Sequence, residues 1–214
     1  KKAAEKNSAA SGSSPAKFLY AAKLLANNSV RVPEIYAFSE DLQFMLQEDL
    51  GDITLDIHKE IENRFILEEA LEQLSLIYSV DQDVLKAFSY NDLFHQTSNF
   101  LDIYEDRNIS IEENEVNVIH ALRKKLVEQI MEQPFLPTHN DFERRNFLFH
   151  KKQIYIIDFQ DLNVGPIGMD LASLLYEHDF DYPKDLIYEL LQKHCEKNAL
   201  GFDANHADML VKQV

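Results

Sequence analysis

The stretch His139-Asn140-Asp141-Phe142-Glu143-Arg144-Arg145-Asn146, then the apolar run Ile154-Tyr155-Ile156-Ile157, then Asp158-Phe159-Gln160-Asp161, decides how this chain is read. It follows Pro134 and Pro137, which end the helical pattern before it, so Asp141 falls in a loop. Phe147-Leu148-Phe149 and Ile154 to Ile157 read as a hairpin, with His150-Lys151-Lys152-Gln153 as its turn. Asp158 then stands at the end of a strand. Gly165-Pro166 and the helix-opening Asp170-Leu171-Ala172-Ser173 close the segment.

An H-x-D-x-x-x-x-N loop followed by an apolar strand ending in D-F suits phosphoryl transfer. That reaction asks little covalent work of a protein. It asks for an in-line hydroxyl, a proton acceptor and neutralised phosphate charge. Asp141 is the candidate acceptor. The Asn146 amide oxygen and the Asp158 carboxylate are candidate ligands for Mg²⁺, a hard ion that prefers oxygen and few protein ligands. Singly, each residue would be an ordinary loop or strand-end residue; the ordered set carries the reading. His139 reads as a structural brace of the loop against the D-F segment. Arg145 either neutralises phosphate or substrate charge or forms a surface ion pair. Asp161 either assists a second metal, touches the substrate or caps a turn. Asp170 is expected to cap its helix and to accept hydrogen bonds from the loop.

Working outward, the spacing predicts a helix over Phe18 to Asn27, stopped at Asn27-Asn28. Strands are predicted over Ile35 to Phe38 and Leu42 to Gln47. The segment Glu48-Asp49-Leu50-Gly51-Asp52 breaks the pattern, and its backbone from Gln47 to Leu50 is a candidate adenine-binding edge, with Gln47, Glu48 and Leu50 as cofactor-binding residues. From Ile53 the chain is expected to turn helical, with a long amphipathic helix over Glu60 to Val80 and another helix within Leu85 to Tyr104. A further helix over Glu112 to Met131 places Val116, Ile119, Leu122, Leu126, Val127 and Ile130 in register. Asp170 to Glu177 and Asp185 to Lys197 complete the helices.

The 214 residues, 45% of them hydrophobic, suffice for a core and one or two domains. A net charge of −16 argues against broad binding to nucleic acid or an anionic membrane. No apolar run approaches the roughly 20 residues of a membrane span. The single cysteine, Cys195, excludes an internal disulfide, points to a reducing compartment and is expected to be buried and inert. There is no H-E-x-x-H, no Cys-based zinc set and no G-x-S-x-G elbow. Lys1 to Ala16 reads as a linker without the apolar core of a secretory signal.

At these residues the chain resembles the aminoglycoside phosphotransferase and choline kinase superfamily, which shares the protein-kinase fold. Within it, the chain looks most like bacterial kinases of N-acetylmuramate and N-acetylglucosamine. Val32-Pro33-Glu34-Ile35, Glu48 to Asp52, the Arg145-Asn146 pair and Asp158 to Ser173 carry that finer match. The resemblance implies an α+β bilobal fold. Residues 1–47 would be a remnant of the N-terminal lobe, 48–52 the hinge and 53–214 a mostly helical C-terminal lobe. It implies ATP and Mg²⁺ as cofactors, Asp141 as base, a small-molecule acceptor (an amino sugar or an aminoglycoside) and a cytoplasmic role in recycling cell-wall sugars. There is no Gly-rich phosphate loop and no strand Lys in a V-A-I-K-like context, so the N-terminal lobe is expected to be incomplete in this sequence, as is the last helical stretch. A non-catalytic kinase-like binding protein is the alternative that this departure favours. The sequence does not fix the oligomeric state.

Overall fold

A computed structural model describes residues 15–39, 41, 44–57, 61–98, 107, 110 and 112–200. Of the linker expected over Lys1 to Ala16, residues 1–14 lie outside the described residues, as does the second half of the aromatic segment after residue 98, while Pro15 and Ala16 open a helix instead. Among those described, helix α1 (Pro15–Asn27) leads into the antiparallel pair β1 (Ile35–Ser39) and β2 (Phe44–Gln47). Helix α2 (Asn63–Tyr78), a short 3₁₀ turn (Gln82–Val84), α3 (Tyr90–Gln96) and α4 (Glu113–Ile130) follow. Then come β3 (Phe135–Thr138), β4 (Phe147–His150), β5 (Gln153–Ile156), β6 (Asn163–Pro166), α5 (Gly168–Leu175) and α6 (Lys184–Lys197). The strands form three antiparallel pairs, β1–β2, β3–β6 and β4–β5.

Helix α1 stops because Ser29 turns left-handed at φ 65°, with its amide on Ala26 O and the Val30 amide on Leu25 O. That double bond pattern is a Schellman cap, with Ser where Gly is commonest. The β4–β5 hairpin turns on Lys151 and Lys152, at φ 48° and 65°. Two consecutive positive values mark the type I′ turn that matches strand twist.

Three expectations are corrected. The chain from Ile53 is not helical: the Leu55 amide bonds Phe147 O at 3.1 Å and the Phe149 amide bonds Ile53 O at 2.9 Å, so these residues run along β4. Leu55 is fully buried there, and the helix begins only at Asn63. Pro137 does not merely end a helix but lies within β3, which pairs with β6, a strand containing Gly165 and Pro166. In a two-stranded pair every strand is an edge, where a missing proline N–H is tolerated. On α4, Leu122 is 62% exposed, while Arg123 turns inward. Arg123 stacks on Phe94 at 4.4 Å and donates to Thr97 Oγ1 and Phe94 O, closing the C-terminal end of α3.

The main core gathers Leu25 of α1, Ile66, Ala70 and Leu74 of α2, Ile154 and Ile156 of β5, and apolar faces of α5 and α6. Three small strand pairs gain independent stability only by such packing. Leu93, Val127 and Ile130 form a satellite cluster between α3 and α4. Arg31 joins α1's exit to the rest. Its Nε donates to Ile154 O at 2.8 Å, its Nη2 pairs with Glu69 at 2.5 Å, and its amide bonds Gln73 Oε1.

Candidate active site

Strand β3 delivers His139 into the core, where it is fully buried. The His139 amide donates to Asp170 Oδ2 at 2.7 Å and the Asn140 amide to Asp170 Oδ1 at 2.9 Å. Asp170 therefore holds the loop from inside the first turn of α5. It does not cap that helix as expected: the cap position is Ile167, which makes no side-chain bond. Burial pushes the Asp170 carboxyl up to about 7, against the pull of the two amides. The His139 ring approaches Ile157 O at 3.0 Å and packs edge-on against Phe142. Desolvation pushes its pKa down, which favours the neutral ring.

Ile157 is clasped from both sides, since its amide also donates to Asn146 O at 3.0 Å. This clasp sets Asp158 directly beside the loop that carries Asp141 and Asn146. Asp158 is not the last residue of a strand, because β5 ends at Ile156 and Asp158 turns left-handed at φ 62°. Asn140 is left-handed too, at φ 75°, with its Nδ2 donating to Asp161 O. Asn and Asp are the non-glycine residues that tolerate this region best.

The Asp141 carboxylate accepts from Arg145 Nη2 at 2.9 Å (Oδ1) and 3.2 Å (Oδ2) and from Asn146 Nδ2 at 2.9 Å (Oδ2). Asn146 Nδ2 also donates to Asp141 O at 2.8 Å. Arg145 Nη2 lies 3.1 Å from Glu143 Oε2 as well. Asp161 stands apart from this group, its carboxylate paired with Lys17 of α1 at 2.7 Å. Phe159 is buried and stacks on Phe18 at 4.9 Å, which ties the D-F segment to α1.

The donor set fits Mg²⁺. Asn146 spends its amide nitrogen on Asp141, which leaves its amide oxygen for a ligand role. Asp158 is exposed and, among the described residues, only its Oδ1 is engaged, by Gln160 Nε2 at 2.7 Å. One carboxylate and one amide oxygen suit an ion that keeps waters and phosphate oxygens in its shell.

Beside Asp158 opens a cavity of about 510 Å³, walled by Gln47, Glu48 and Leu50 on one side and by Leu148 and Ile157 on the other. The Glu48 amide is not free along this edge, because it donates to Glu34 O at 2.7 Å. Glu143, Asn140 and Gln160 also contact this group, through Arg145, Asp170 and Asp158 respectively. Sequence reasoning assigned none of them a role of its own, although Gln160 belonged to the matched motif and Asn140 is a residue type suited to left-handed backbone.

The match extends beyond the loop. The chain belongs to the phosphotransferase enzyme family, which it matches over residues 8–203. It is 29% identical over 184 residues to the N-acetylmuramate/N-acetylglucosamine kinase of Pseudomonas aeruginosa, covering 84% of this chain and 54% of that protein. It is 25% identical over 176 residues to the kinase of the same name from Neisseria meningitidis, covering 78% and 53%. The chain thus spans about half the length of these curated relatives. Among solved structures, the ADP-bound aminoglycoside phosphotransferase APH(2'')-Ib superposes with a TM-score of 0.65 at 20% identity, covering 92% of this chain and 69% of that one. A choline/ethanolamine kinase family protein from Mesorhizobium loti superposes at 0.61 with 15% identity, covering 92% and 67%. These likenesses show the kinase-like α+β fold.

Proposed function

We propose that this chain carries the transfer centre of an ATP- and Mg²⁺-dependent small-molecule kinase whose acceptor is an amino sugar of the N-acetylglucosamine or N-acetylmuramate type. The observation that carries the reading is the clasp at Ile157, which holds Asp158 beside the Asp141–Asn146 loop and at the mouth of the hinge-side cavity. The cavity is of a size that suits a nucleotide. An adenine edge there meets the hinge groups other than the Glu48 amide.

In this reading Asp141 accepts the proton of the attacking hydroxyl at Oδ1, the oxygen with the single donor. Asn146 fixes the carboxylate through Oδ2 and, with Asp158, would hold Mg²⁺. Held there, the ion would supply neutralisation of the phosphate charge. Arg145 has its remaining guanidinium edges for phosphate. Residues 1–47 serve as part of the N-terminal lobe and 48–52 as the hinge. The names of the curated relatives support the sugar, and the cytoplasmic role in cell-wall recycling belongs to the same proposal.

The test offers the chain ATP–Mg²⁺ with N-acetylglucosamine, N-acetylmuramate and gentamicin, and detects phosphorylated product by mass spectrometry. Phosphorylation of either sugar, with gentamicin untouched, is expected. Phosphorylated gentamicin alone would move the acceptor to the aminoglycosides. Nucleotide binding without any product would favour a non-catalytic binding protein.

A further inference from the structure

Arg144 is the residue of the loop that the chemistry above leaves unused. Its side chain is 1% exposed and heads the largest fully buried side chains among the described residues. Nη2 donates to Asn63 Oδ1, at the start of α2, at 3.1 Å. The guanidinium lies 3.9 Å over the Phe180 ring, and the Arg144 amide points at Glu177 Oε2 at 3.4 Å. Asp56, in the turn that follows the hinge, and Tyr182, after α5, complete its electrostatic surroundings with Glu177. Arg144 Nε and Nη1, Asp56 Oδ1 and the Tyr182 hydroxyl are buried here without a hydrogen bond of 3.5 Å or less among the described residues, the Tyr182 hydroxyl still lying near enough to act on the guanidinium.

A half-satisfied buried charge cluster is a poor device for stability, since desolvation offsets much of the Coulomb gain and an apolar side chain would fill the same space. Its geometric effect is specific. The Arg144–Asn146 3₁₀ turn follows Asp141 and ends in Asn146, and Arg144 anchors that turn to the start of α2 and to the loop after α5. We propose that Arg144 is a positioning residue, whose buried guanidinium sets the angle at which this turn presents Asn146 to Asp141 and Asp158. The catalytic consequence rests on the phosphotransferase reading; the positioning does not.

Amide hydrogen exchange on the full chain tests it, comparing the parent with Arg144→Met and Arg144→Lys under folding conditions. The Asn146 amide bonds Glu143 O, and the Ile157 amide bonds Asn146 O, so both report the turn. Arg144→Met is expected to speed exchange at these two amides about tenfold or more, with the α2 and α6 cores unchanged and Lys restoring part of the protection. Unchanged exchange at Asn146 and Ile157 overturns the proposal, as does protection lost evenly along the chain. If the Met variant does not fold, Arg144→Lys, which keeps the charge but not the planar fork, decides by the same two amides. Transfer from ATP to N-acetylglucosamine adds a second readout. A fall in kcat at constant KM is expected, and a raised KM at constant kcat contradicts it. A parent chain that transfers no phosphate sinks the phosphotransferase reading, and exchange still decides the role of Arg144.

Discussion

Asp158 and Asn140 hold left-handed backbone at the two ends of the site, a conformation that costs an L-residue about 1–2 kcal/mol. Strain of this kind persists where surrounding contacts over-determine it. For Asp158 those contacts are the two hydrogen bonds on Ile157 and the buried ring of Phe159. Asp158→Asn keeps the backbone preference and removes the charge. It is expected to raise the Mg²⁺ concentration for half-maximal transfer about 10–100-fold, read by magnesium titration, with little change in melting temperature. An unchanged magnesium requirement would remove Asp158 from the metal site. Gly165 is a second single-atom constraint. A Cβ there would meet Thr138 Oγ1 at 2.9 Å and Phe88 Cδ2 at 3.0 Å, both packed side chains. Gly165→Ala is expected to cost about 1–3 kcal/mol, measured by urea unfolding. A neutral result would mean that β3 and β6 yield without strain.

At the scale of elements, long apolar patterns were legible and short polar pairings were not. The faces of α2 and α6, the β4–β5 hairpin and the stop after Asn28 follow from spacing and turn chemistry. The pair β3–β6 was hidden because each strand is four residues long and contains proline, so neither shows alternation. Arg123 was hidden because its burial depends on Phe94 and Thr97, which lie on another helix. His194 of α6 has a structural place between α6 and α2. It is buried, 5.5 Å from the Tyr78 ring of α2, and its Nε2 lacks a partner among the described residues. Desolvation, and secondarily Lys197, push its pKa down to about 4. Between about pH 6.5 and 4 the unfolded chain takes up a proton that the folded chain refuses, so acidification destabilises, by up to about 3 kcal/mol. Asp170 and Glu177, both pushed up to about 7 by burial, act with the opposite sign over the same range. The difference between parent and His194→Met isolates the histidine. Parent stability should fall relative to the variant from pH 7 to pH 4.5 in thermal melts, and parallel curves would contradict this.

Over the whole molecule, one core joins α1, α2, β5, α5 and α6, so the cavity beside Asp158 and the Asp141 loop rest on the same packed core. The order H-x-D-x-x-x-x-N and D-F pointed to one loop and one strand end, and in the structure Asn146 bonds Asp141 while the backbone just before Asp158 is joined to that loop. Of how they are held, it foretold the Asp170 hydrogen bonds to the loop and the His139 brace beside the D-F segment, but not the Ile157–Asn146 bond, which runs between backbone groups and leaves no mark on the side-chain pattern. No helix among the described residues is long and apolar enough to cross a membrane. If the cavity takes nucleotide, ADP–Mg²⁺ at 100 times its dissociation constant should stabilise the fold by about 2.7 kcal/mol, seen as a raised melting temperature. No shift at saturating nucleotide would empty the cavity of that role.

The central claim is that Asp141 receives the proton in a phosphoryl transfer. The most direct measurement follows labelled γ-phosphate from ATP to N-acetylglucosamine for the parent and for Asp141→Asn, which preserves shape and removes the base. The account predicts transfer by the parent and a loss of about 10²–10⁴-fold in kcat for the variant, with its melting temperature kept. Equal turnover by the two proteins, or a parent that transfers no phosphate, would contradict it.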